Sequence, residues 1–140
     1  MYITIFTRVD GKPAEEYPYR TIIEAEKHLD LFRKDDSGIY KSIAVLDDVT
    51  DTILSILVFN DGVPGEVIRH NDIVRFKPEF CSDSERHLLF AVKNINEKTH
   101  RCVVVCINSG QPLPSSETVG LEMIRLVSKS GELNLENIVP

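Results

Sequence analysis

The sequence predicts an α+β chain: an antiparallel sheet with one packed helix over residues 1–60, a linker at 61–69, a small β-barrel over 70–128 and a tail at 129–140. Three observations carry this. Period-2 apolar alternation recurs in short runs along the whole chain, one 3.6-period stripe occurs near residue 25, and the Gly and Pro density peaks at Asn60-Asp61-Gly62-Val63-Pro64-Gly65. The charge divides at about the same place. Residues 1–66 hold seven Lys/Arg against thirteen Asp/Glu, whereas residues 67–140 hold nine of each, so the net charge of −6 belongs to the first half.

Tyr2 to Val9 places Ile3, Ile5, Thr7 and Val9 on one face and Tyr2, Thr4, Phe6 and Arg8 on the other. Both faces carry apolar residues, which predicts a strand inside a sheet. Asp10-Gly11-Lys12-Pro13 is a turn signal, and Pro18 confines Glu15–Tyr19 to a sheet edge because proline has no N–H for a ladder. Thr21-Ile22-Ile23-Glu24 is a capping box in which the Thr21 hydroxyl accepts from the Glu24 amide and the Glu24 carboxylate reaches back to the Thr21 amide. Ile22, Ala25, Leu29 and Phe32 then form a stripe that packs on a sheet, and Asp35-Asp36-Ser37-Gly38 ends the helix. Ile39 to Leu46 and Ile53 to Phe59 read as an antiparallel pair joined through Asp47–Asp51.

In the second half the strands are expected at Ile73–Lys77, Leu88–Ile95, Arg101–Ile107 and Met123–Val127. Asn96–His100 is the hairpin connection, and Gln111-Pro112-Leu113-Pro114-Ser115-Ser116-Glu117 is a loop before the last strand. Several short strands with little helix signal in about 60 residues suit a partly open barrel. The order of Asn71-Asp72-Ile73-Val74-Arg75-Phe76, a long polar loop, Phe90–Asn96, a return strand and Val119 to Leu126 resembles SH3-like small barrels of the kind that includes KOW domains. Such domains often open on a Gly-Asp pair; here Asn71 stands in the place of that glycine. The resemblance implies a binding module, with RNA as the ligand of the KOW type.

Function is bounded mainly by what the chain lacks in its sequence. No glycine-rich phosphate loop and no nucleophile elbow is present. Cys102 and Cys106, on one face of an extended strand, lie roughly 13 Å apart, too far for one metal or a disulfide. They read as core residues beside Val104, and no metal or cofactor is expected. Cys81 with His87 is the one pairing that would suit a cysteine/histidine enzyme, but no orienting acid is identifiable, and the chain is read as non-catalytic. Glu79, Asp83 and Glu85 lack calcium-loop spacing and read as solvated charge.

Arg75, Lys77, Arg86, Lys93 and Arg101, with Phe76, Phe80 and Phe90, form the alternative nucleic-acid surface, weakened because Phe76 and Phe90 fall in strands and suit the core. The leading expectation is a protein partner bound through the 79–87 and 108–117 loops, with Phe80, Arg86, His87 and Gln111 as contact residues. Open sheet edges also allow a homodimer. No apolar run approaches the roughly 18 residues of a membrane span and no basic segment precedes an apolar one at the N-terminus, so the chain is expected to be cytoplasmic, a setting that also suits three cysteines.

Overall fold

The computed structural model describes residues 1–110 and 116–128. It divides into two compact units with the sequence boundary between Ile68 and Arg69. The first unit is an antiparallel sheet with one helix. Its strands are β1 (Tyr2–Arg8), β2 (Glu15–Tyr19), β3 (Tyr40–Asp47), β4 (Thr52–Asn60) and β5 (Val63–Arg69), in the spatial order β2-β1-β3-β4-β5. β1 is therefore interior and β2 is an edge, as the two-sided apolar pattern and Pro18 predict. Glu15 and Glu16 on β2 give that edge charge, which blunts it against pairing with another chain.

The helix α1 (Ile22–Asp30) packs on one face of this sheet. Ala25 and Leu29 are buried against Phe6, Ile43, Val45, Leu57, Phe59 and Val67, with Phe32 packed alongside. Thr4 is fully buried and its Oγ1 donates to the Ala25 carbonyl at 2.9 Å, fastening strand to helix. The Glu24 amide donates to Thr21 Oγ1 at 3.2 Å, as a capping box requires. The reciprocal contact differs from expectation, because the Thr21 hydroxyl donates to Glu24 Oε1 at 2.9 Å. The helix also ends earlier than Asp35. After Asp30 the amides of Phe32, Arg33 and Asp35 bond three residues back, so the chain tightens into successive turns.

Residues 63–69, expected to be linker, form β5. Asp61 and Gly62 both have positive φ, 53° and 80°, which is the two-residue hairpin turn that Asp-Gly favours. Pro64 is tolerated because β5 is an edge strand.

The second unit is a five-stranded antiparallel sheet of β6 (Ile73–Phe76), β7 (Phe90–Asn96), β8 (Arg101–Cys106), β9 (Ser116–Gly120) and β10 (Ile124–Ser128), ordered β10-β6-β7-β8-β9. Among the described residues no ladder joins β9 to β10, so the expected barrel is an open sheet in which those two strands are edges. Ser116 and Glu117, expected in a loop, belong to β9 and pair with Val105 and Val104. A 3₁₀ turn, Leu121–Met123, then redirects the chain so that β10 returns to β6.

Register separates the two faces of the sheet. Val74, Phe90, Val92, Cys102, Val104 and Cys106 are buried on one side. The buried positions of Cys102 and Cys106 agree with their reading as core, and burial pushes the Cys102 thiol up to about 11. Among the described residues no helix is long and apolar enough to cross a membrane.

Candidate functional site

The site is built on the connection between β6 and β7. Pro78, at the first position of a 3₁₀ turn, starts a reversal over Pro78–Phe80, and a second turn follows at Asp83–Glu85. Each turn is closed by its own backbone. The Phe80 amide donates to the Lys77 carbonyl at 2.9 Å, the Glu85 amide to Ser82 at 3.0 Å and the Leu88 amide to Glu85 at 3.0 Å. At its start the connection is held to the 3₁₀ turn before β10, because the Lys77 amide donates to the Met123 carbonyl at 2.9 Å.

The far end is held by Asn108. Its Oδ1 accepts the Leu89 amide at 2.8 Å, and its Nδ2 donates to the His87 carbonyl at 2.9 Å. A backbone bond from the Ile107 amide to the Leu89 carbonyl, 3.0 Å, runs beside them. One side-chain amide thus staples the β6–β7 connection to the segment after β8. The two loops expected to form a contact surface are brought together there, as far as residue 110. Sequence reading missed Asn108, although an Asn directly after a strand and before Ser-Gly is a side chain suited to closing a loop.

Phe80 is 44% exposed, an aromatic ring presented to solvent from a closed turn. Arg86 is exposed and paired with Asp83 at 3.0 Å, and His87 is exposed with its carbonyl held by Asn108. Gln111, the fourth expected contact residue, lies outside the described residues, as do the rest of its loop to 115 and the tail at 129–140. Cys81 directs its thiol to the Lys77 carbonyl at 3.7 Å. Among the described residues no three His, Cys, Asp or Glu side chains gather as a metal site would need.

No protein-family model, curated protein or solved structure matches this chain.

The turn that opens the sheet is better specified than the sequence alone suggests. Asn71 has φ 73°, in the left-handed region that glycine adopts most readily and asparagine next. Its amide donates to the Val92 carbonyl at 2.8 Å while the Val92 amide donates to the Asp72 carbonyl at 3.0 Å. Asp72 is fully buried, and its Oδ2 accepts the Arg69 amide at 2.8 Å.

The expected basic residues separate. Lys77 and Arg86 belong to the β6–β7 connection, whereas Arg75, Lys93 and Arg101 share the sheet face opposite the core. Phe76 and Phe90 meet edge to face at 5.0 Å, with Phe90 buried, as their strand positions imply. A depression of about 270 Å³, not foreseen from sequence, is lined by Thr99, His100, Arg101, Gly120, Glu122 and Met123. The Glu122 carboxylate lies over Gly120 at its rim, so that a Cβ there would meet only the far end of that exposed side chain.

Proposed function

We propose that the protein is a non-catalytic protein-binding or accessory module whose contact surface is the β6–β7 connection with the segment after β8. The observation that carries this is the Asn108 staple. A loop closed at both ends by hydrogen bonds presents Phe80, Arg86 and His87 with little conformational entropy left to lose on binding. The same connection carries an exposed aromatic ring, Phe80, and an exposed arginine, Arg86, both residue types enriched at interfaces.

The finer reading of the second unit is an SH3-like, KOW-type small β fold acting in the cytoplasm. Three features support it: the last strand returns to pair with the first, a 3₁₀ turn precedes that strand, and left-handed Asn71 occupies the place of the expected glycine. In such folds the loops do the binding.

The test is partner capture by the full chain against a variant with Phe80, Arg86, His87 and Gln111 all changed to alanine. The variant should fold, since none of the three described side chains is buried, and should lose at least one partner that the parent retains. An unchanged set of partners would refute the placement.

A further inference from the structure

We draw no further inference here: the strongest candidate, the depression between the β7–β8 hairpin and the 3₁₀ turn before β10, sets exposed Arg101 and exposed Glu122 on one rim, and nothing in the structure selects a ligand for that pair of opposite charges.

Discussion

Replacing Asn108 by alanine removes both ends of the staple in one step: the bond from Leu89 N–H, 2.8 Å, and the bond to the His87 carbonyl, 2.9 Å. The net value of an intramolecular hydrogen bond is about 1 kcal/mol, and a donor left unpaired costs more, so the loss comes to roughly 2 kcal/mol. At 1.4 kcal/mol per tenfold this is a factor of about 30 in the local opening equilibrium. The assay is hydrogen exchange at the Leu89 amide in the full chain. Asn108→Ala should lower its protection by about that factor, whereas Asn108→Asp, which keeps an acceptor and loses the donor, should keep Leu89 protected and free only the His87 end. Protection of Leu89 equal to that of the parent in Asn108→Ala would refute the claim that this side chain organises the two loops.

Three further outcomes are expected. Ser55 is fully buried with its Oγ unpartnered, so Ser55→Ala should raise stability by about 1 kcal/mol in urea unfolding, and a loss of that size would show that the hydroxyl has a partner. In the native chain a thiol reagent should label Cys81 rapidly, while buried Cys102, with its raised pKa, and buried Cys106 react only in denaturant; prompt labelling of all three would contradict the packing of the second sheet. His28 and His70 are both held below the ordinary value near 6.5, His28 by burial and His70 by burial and then Lys93. The unfolded chain therefore takes up these protons first, so stability is full above about pH 6.5 and declines as pH falls through that value toward the lower folded pKa values. Thermal melts should show the decline below about pH 6.5, and His28→Gln should reduce it; a melting temperature that rises on acidification would overturn the assignment.

How far the fold was legible varied with the kind of signal. The interior position of β1, the edge position of β2 and the stripe of α1 follow from alternation, proline chemistry and a capping box, which are local properties. β5 was missed because Pro64 and Gly65 outweighed the Asp61-Gly62 hairpin signal, although an edge strand tolerates both. β9 was missed because Ser116, Glu117 and Thr118 have little apolar character. Their strand exists because β8 offers a ladder, which is a tertiary fact. The candidate site was legible in its exposed side chains, Phe80, Arg86 and His87, and illegible in what holds them. Asn108 acts across 21 residues of sequence, a separation at which pattern carries no information. The pairing of β6 with β10 was hidden for the same reason. Arg75 and Arg125 are 50 positions apart and become neighbours only through the return of β10 to β6.

Photo-crosslinking from position 80 tests the central claim most directly. A benzophenone side chain in place of Phe80, in the full chain, sits on the exposed ring of the loop, and the same group in place of Val49, 83% exposed in the first unit, is the control. The account predicts a discrete partner adduct from position 80 and none from position 49. Equal adducts from both positions, or none from position 80 while a partner remains bound, would contradict it.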